Sequence, residues 1–203
     1  MTDESTLESK RRNQIISAAR QVFSRKGYDG ATVGEIAETA GVSKGLIYHY
    51  FRSKGDILLA TAETLMNRFE EHMERMSTAK ATASDKILAA QHMHTGEMIK
   101  EWEFVQILLE FWSESVRRPE IARPYAQMFR KARVYLKTII ENGIASGEFR
   151  PVPAKEVASL MIAMADGLTI QRMLDARAFT WRSVSDAMDD LLLNGLLARQ
   201  KEG

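Results

Sequence analysis

The sequence predicts an all-α protein with two helical parts. Apolar residues recur at steps of three and four along most of its 203 residues, and no stretch alternates convincingly as a strand. Near the N-terminus, residues 32–51 read as two short helices joined at a single glycine. We therefore expect a small three-helix domain over residues 1–54, called the head below, and a larger helical domain over residues 55–203.

The first predicted helix covers about residues 10–26. Its apolar positions follow helical spacing until Gly27 interrupts the pattern. Residues 1–8 are polar and are expected to fray, and residues 28–30 are expected to form a turn. The apolar stripe must pack against the two short helices to complete a domain.

The first short helix is predicted over residues 33–40. Thr32 can cap it through its hydroxyl group, and Glu35, three residues later, completes a capping box. Gly41 ends the helix, because glycine tolerates the left-handed backbone of a sharp turn.

The second short helix is predicted over residues 44–50, with Ser43 as its N-cap. Ile47 belongs to the core, and Phe51 is assigned there as well. Lys44, Tyr48 and His49 are left for a partner, a composition typical of a recognition helix that enters a DNA major groove.

This segment resembles the DNA-binding domain of the TetR family of bacterial repressors. The family pattern Thr-x-x-x-Ile-Ala-x-x-Ala-Gly-Val-Ser-x-Gly-x-x-Tyr-x-Tyr-Phe-x-x-Lys is matched from Thr32 to Lys54, with Leu58 following. The resemblance implies a site on or near DNA, with Thr32 and Lys54 on phosphate. Its members would be Thr32, Ser43, Lys44, Gly45, Leu46, Tyr48, His49, Tyr50 and Lys54. Leu46 has the alternative of turning inward.

The charge distribution supports a nucleic-acid partner. Residues 10–55 hold nine Lys or Arg against three Asp or Glu, whereas the whole chain has a formal net charge of only +1. A lone basic run is usually a solvated surface, but together with the motif it favours binding to phosphate.

A long helix opens at residues 54–56 and ends at a break near residues 77–84. At 1.5 Å per residue it would span roughly 30 Å and link the head to the rest of the chain. Five further helices are expected, near residues 84–99, 101–117, 119–146, 154–175 and 181–199.

The last two helices carry more apolar surface than one core requires. The economical solution is a symmetric homodimer with a four-helix-bundle interface, which the resemblance also implies; a thicker monomeric core is the alternative.

The middle of the chain is rich in methionine and aromatic residues, and the resemblance implies an effector cavity among helices four to eight. Asp166 shares its helical face with apolar residues, so it needs a partner, either an arginine at the dimer interface or a cationic ligand. Residues 111–112, 117–119 and 165–168 also look like the effector domain of choline-responsive members. The candidate pocket residues are Phe69, Met73, Met98, Trp102, Phe111, Trp112, Tyr125, Phe129, Asp166 and Met173.

Other chemistry finds little support. The chain has no cysteine, and His92 and His94 are two positions apart on a helix and cannot share one metal ion. Residues 41–45 match Gly-x-Ser-x-Gly, but a nucleophile elbow needs a preceding strand. We expect no enzyme, metal or cofactor. No run of about 18 apolar residues or signal peptide is recognised, so a cytoplasmic protein without a membrane partner is expected.

The function predicted is that of a ligand-responsive transcriptional regulator. It would bind a palindromic double-stranded DNA operator as a dimer and repress, until a small hydrophobic or amphipathic effector releases it. The alternative is a helical protein-docking or ligand-binding module that no longer binds DNA.

Overall fold

The computed structural model describes residues 3–100, 112, 115 and 119–197. The all-α class is confirmed: within these ranges the only β feature is an isolated bridge between Phe149 and Leu197. The predicted helix over 101–117 lies outside the described residues, apart from Trp112 and Ser115. The helices are α1 (Asp3–Gly30), α2 (Val33–Ala40), α3 (Lys44–Tyr50), α4 (Lys54–Thr78), α5 (Ala83–Lys100), α6 (Pro119–Ala145), α7 (Ala154–Leu174) and α8 (Trp181–Leu196).

Two compact units make up the chain. One contains residues 1–68 and 103–125, and the other contains residues 69–102 and 126–203. The first unit includes the beginning of α4, because Ile57 and Leu58 at that end are completely buried. This division falls inside α4, and the domain boundary before residue 55 stays a prediction.

Helix α1 is longer than predicted at both ends. It begins at Asp3, so residues 3–8 are helical and not frayed. No glycine or proline occurs before Gly27, and the segment is rich in good helix formers. Gly27 interrupts the helix with φ 70° and ψ 171°, after which residues 28–30 form one more helical turn instead of the predicted open turn.

The core of the first unit is built from one apolar face of each helix. Ile15 and Phe23 of α1, Ile36 of α2 and Ile47 of α3 are at most 1% exposed. Phe51, 4% exposed, joins them, which confirms its assignment to the core.

The core of the second unit lies between α5, α6, α7 and α8. Phe149 is 2% exposed and packs among Ile87, Ile140, Ala158 and Leu196, all of them buried. The segment after α6 is tied to α8, since the Arg150 amide donates to the Leu196 carbonyl at 2.8 Å. Aromatic burial and one backbone bridge therefore hold the end of α6 against α8.

Helices α7 and α8 expose apolar side chains, which confirms the predicted surplus. Leu160 and Leu174 on α7 are 62% and 81% exposed, and Leu191 on α8 is 67% exposed. By length and composition α7 could cross a membrane. Its most apolar 18-residue stretch has a mean hydropathy of 1.2, and 17% of that stretch is buried within the protein. One such helix is weak evidence for a span, because core helices of soluble proteins pass the same test.

Candidate nucleic-acid interface

The start of α2 is fixed by the capping box that the sequence predicts. The Glu35 amide donates to Thr32 Oγ1 at 3.2 Å, and the Thr32 amide donates to Glu35 Oε2 at 3.0 Å. Glu35 also pairs with Lys26 of α1. The hydrogen bonds from Lys26 and then from Thr32 lower the pKa of Glu35 from 4.5 to about 2, so the capping carboxylate stays ionised well into the acidic range.

The turn between α2 and α3 has the predicted left-handed glycine. Gly41 has φ 63° and ψ 35°, and the Val42 amide donates to the Ala37 carbonyl at 3.0 Å, as in a Schellman-type helix end. Ser43 then caps α3, because its Oγ accepts the Leu46 amide at 3.1 Å. The Gly-x-Ser-x-Gly match at residues 41–45 is not a nucleophile elbow, because helix α2 and not a strand precedes Ser43.

A further contact holds this turn on α1. Gln14 Nε2 donates to the Ala40 carbonyl at 2.6 Å, across 26 residues. This contact is not evident from the sequence, because the amide of Gln14 lies on a polar helix face and gains its partner only when α2 packs against α1.

Helix α3 presents the predicted reading face outward. Lys44, Gly45 and His49 are exposed, and Tyr48 is 51% exposed. Ile47 points into the core and is completely buried, so the helix has one anchored side and one free side. The arrangement is that of a recognition helix, with polar and aromatic groups available to base edges and phosphates.

The remaining predicted DNA residues surround this face in different ways. Thr32 and Ser43 are exposed at the two helix starts, although their hydroxyl groups are used in capping. Leu46 and Tyr50 are half-buried, and the Tyr50 ring packs edge-on against His49 at 5.2 Å between ring centres. Leu46 therefore has part of its surface inward, as its alternative interpretation anticipates.

Lys54 is placed differently from the prediction. Its Nζ donates to the carbonyls of Tyr28 at 2.6 Å and Ala31 at 2.9 Å, with the Asp29 carbonyl at 3.4 Å. The ammonium group is thus engaged within the head, and its predicted phosphate contact stays a prediction.

Additional basic groups lie in the N-terminal half of α1, about two turns after its start. Lys10, Arg11 and Arg12 are exposed, and the Arg12 guanidinium lies 5.4 Å from the ring centre of Phe51, next to the end of α3. A guanidinium over an aromatic face is held by the ring quadrupole. The basic segment 10–12 of α1 therefore lies on the side of the head that carries α3.

The candidate pocket residues fall into two groups. Met73 is buried, and Trp112, Phe129, Asp166 and Met173 are half-buried. The others lie outside the described residues, in full or for their side chains: Phe69, Met98, Trp102, Phe111 and Tyr125.

A cleft of about 320 Å³ in the second unit is lined by none of these residues. Its walls come from the ends of α4 and α6 and the start of α5, including Lys86, Tyr135, Asn142 and Glu148. It is thus separate from the predicted pocket residues in the described part of the chain.

Asp166 is half-buried on α7, and burial raises its pKa to about 6. The described residues give it no hydrogen bond or ion pair, so the partner predicted for this carboxylate is still to be identified. His92, by contrast, is paired: its Nε2 lies 2.7 Å from Asp189 Oδ2 on α8. No group of three or more metal-ligating side chains occurs among the described residues.

Two sequence-family models match this chain. Residues 15–61 match the family model described as "Bacterial regulatory proteins, tetR family". Residues 98–196 match the model described as "BetI-type transcriptional repressor, C-terminal". The fatty acid metabolism regulator protein of Bacillus subtilis is 30% identical over 192 residues, which cover 90% of this chain and 94% of the relative.

The chain belongs to the TetR family.

Other relatives agree with this assignment. The HTH-type transcriptional regulator BetI of Rhizobium meliloti is 30% identical over 168 residues, covering 83% of this chain and 80% of that protein. A Saccharomonospora viridis protein solved with choline shares the fold, with a TM-score of 0.85 at 24% identity, and the match covers 94% of this chain and 100% of that one. FadR from Bacillus subtilis, solved with stearoyl-CoA, has a TM-score of 0.77 at 27% identity and covers 90% and 97%.

The predicted general function is confirmed by the family. This TetR-family protein is a ligand-responsive, DNA-binding transcriptional regulator, and the docking-module alternative is not favoured. The relatives are transcriptional regulators, a class without enzymatic activity.

Proposed function

We propose that this regulator represses by binding a palindromic operator as a homodimer and leaves it when a small hydrophobic or amphipathic ligand binds the C-terminal domain. The observation that carries the proposal is the outward face of α3. Lys44, Tyr48 and His49 are exposed on a helix whose start, turn and buried side are fixed by Ser43 and Ile47. Such a pre-organised face suits direct readout in a major groove.

The homodimer is supported by the unpartnered apolar surface of α7 and α8. The leucines at 160, 174 and 191 are exposed within one protomer, although each would release water on burial. A Cβ built on Gly167 of α7 or Gly195 of α8 would meet nothing within 4 Å, so both leave room for a close helix. A second copy of this surface forms a four-helix bundle and supplies the second reading head that a palindrome needs.

The effector is proposed to be a small apolar or amphipathic molecule. Related structures hold choline and stearoyl-CoA, which differ in charge and size, so family membership alone does not choose between them. Asp166 favours a cationic group, either on the ligand or on an arginine of the second subunit, because its carboxylate lacks a described partner. We propose that the protein works without a catalytic residue, a metal or a cofactor. We also propose that it is cytoplasmic and has no membrane partner.

Release follows from a difference in affinity. A ligand shifts the protein away from the DNA-bound conformation only as far as it binds another conformation more tightly. The two heads must match half-sites about 34 Å apart, so a small change in the direction of α4 is enough to lose one of them.

The test is a fluorescence-anisotropy titration on the upstream intergenic DNA, at two salt concentrations, with scrambled duplex as the control. Tyr48→Ala and Lys44→Ala should each abolish selective binding while light scattering still finds a dimer. Lys137→Ala is the matched control, since it removes another exposed positive charge, on α6 and away from the head. Unchanged operator affinity in both head variants would remove the assignment of α3 as the reading helix.

A further inference from the structure

Lys54 occupies an electrostatically unusual position. It is the first residue of α4, where the exposed amides form the positive end of the helix dipole and a cation is disfavoured. The amide end of α4 has its own cap, since Ser53 Oγ accepts the Asp56 amide at 3.1 Å and Asp56 Oδ2 accepts the Arg52 amide at 3.0 Å. The lysine is therefore not needed to complete its own helix.

Its ammonium group instead binds the carbonyl end of α1. The acceptors are the Tyr28, Asp29 and Ala31 carbonyls described above, and an ammonium group has three N–H donors to offer. Tyr28 and Asp29 belong to the single helical turn after Gly27, and Ala31 follows α1 directly, so their carbonyls lack partners four residues further along a helix and can accept from a cation. All three carbonyls follow Gly27, whose φ of 70° interrupts the regular helix just before them.

The contact extends into the core of the head. Lys54 Nζ lies 4.4 Å from the ring centre of Tyr28, and that ring lies 5.8 Å from the ring of Phe23. Phe23 is 1% exposed. A displacement of the first turn of α4 is thus passed to the end of α1 through a short, charge-assisted contact.

We propose that Lys54 is a positioning residue for DNA binding, which fastens the first turn of α4 to the end of α1 and thereby sets the orientation of α3. Only residues 51–53 separate α3 from α4, and the Phe51 amide still bonds to the Ile47 carbonyl at 2.9 Å. Holding α4 on α1 therefore holds α3 as well. The proposal rests on the proposed function of α3, and it assigns Lys54 to coupling within the head and not to phosphate.

The salt dependence of DNA binding distinguishes a positioning role of Lys54 from a direct phosphate contact. Each phosphate contact contributes about 0.9 to the slope of log affinity against log salt concentration. Lys54→Met keeps the aliphatic stem and removes the charge, and Lys44→Met removes the same charge from the predicted reading face. Anisotropy titrations at four salt concentrations, at a temperature where circular dichroism shows both variants folded, give the two slopes.

For Lys54→Met we expect affinity about tenfold weaker than wild type with an unchanged slope, whereas Lys44→Met should lower the slope. Lys54→Arg should recover part of the affinity, because a guanidinium can still donate to the carbonyls. A slope lowered by about 0.9 in Lys54→Met would show a phosphate contact and overturn the proposal. Unchanged affinity and slope, with only a lower melting temperature, would overturn it too, since the lysine would then be purely structural.

Hydrogen exchange tests the contact without DNA. In Lys54→Met, amides of residues 28–31 should exchange faster than in wild type, whereas Lys44→Met should leave them unchanged. Equal exchange in wild type and Lys54→Met would contradict the fastening role. If the wild-type protein bound no duplex selectively, the proposed function would fail, and this exchange measurement would still decide on the contact.

Discussion

Replacing Gly143 by alanine should destabilise the second unit. A Cβ at this position would lie 2.3 Å from Phe149 Cδ2 and 2.7 Å from Cε2, and 2.9 Å from the Cβ of Ala83. Carbon atoms in contact prefer about 3.5–4.0 Å, so the ring would have to move by more than about 1 Å. The Phe149 ring is 2% exposed, and its own amide donates to the Gly143 carbonyl at 2.9 Å, which limits the movement.

The magnitude is a balance of two opposing effects. Alanine in a helix interior is favoured over glycine by about 1 kcal/mol. Forcing an extra carbon into a packed core costs about 1–3 kcal/mol, and the upper part of that range applies because the neighbours are a ring and a second helix. We expect the free energy of unfolding to fall by about 1–2 kcal/mol.

Urea unfolding, followed by far-UV circular dichroism, measures this change. Gly34→Ala is the matched control, since its Cβ would have only an ordinary contact, 3.7 Å from Thr32 Oγ1, and should leave stability equal or slightly higher. In the background of Phe149→Leu, Gly143→Ala should cost less, because a smaller side chain leaves space. A Gly143→Ala protein as stable as wild type would refute the packing argument.

Three further predictions concern pH and the turn. Burial raises the pKa of Asp166 from 3.8 to about 6, so the folded state binds its proton more tightly and stability falls as pH rises from about 4 to about 6. Asp166→Asn should remove this pH dependence and, after allowance for solvent screening, raise the free energy of unfolding at pH 8 by about 1–2 kcal/mol. Urea unfolding measures this change. A variant less stable than wild type at pH 8 would show that the carboxylate is paired. Burial raises the pKa of Glu148, but the hydrogen bonds from Ser84 and the Ala83 amide outweigh burial and leave the pKa below 4.5. The stability that the ionised Glu148 contributes is therefore lost as pH falls through that lowered pKa. Glu148→Gln should therefore cost about 1 kcal/mol at pH 7 and little at low pH, and an equal cost at both pH values would contradict the ionised cap. Gly41→Ala should lower the melting temperature of the head and weaken operator binding, because φ 63° strains any residue with a Cβ, and an unchanged melting temperature would rule out that strain.

Features that depend only on neighbours in the chain follow from the amino-acid sequence. The capping box of Thr32 and Glu35, the left-handed Gly41 and the cap of Ser43 all join residues within a few positions of one another. Their geometry follows from local backbone preferences, and these do not require the rest of the fold. Helix bounds were also close to prediction where Gly41, Gly147 or Pro153 marks an end, but not at Gly27, beyond which α1 continues for one turn. The start of α1 was wrong, because no such residue stands between Asp3 and Gly27.

Contacts between residues far apart in the chain depend instead on how the helices pack. Lys54 reaches the carbonyl of Tyr28 across 26 residues, and Glu148 caps α5 through the Ala83 amide across 65 residues. Nothing in the local sequence distinguishes these side chains from solvated ones, since a charged group on a helix surface finds its partner only when another helix is packed beside it. The sequence therefore predicted the reading face, whereas packing decided how the head is held together.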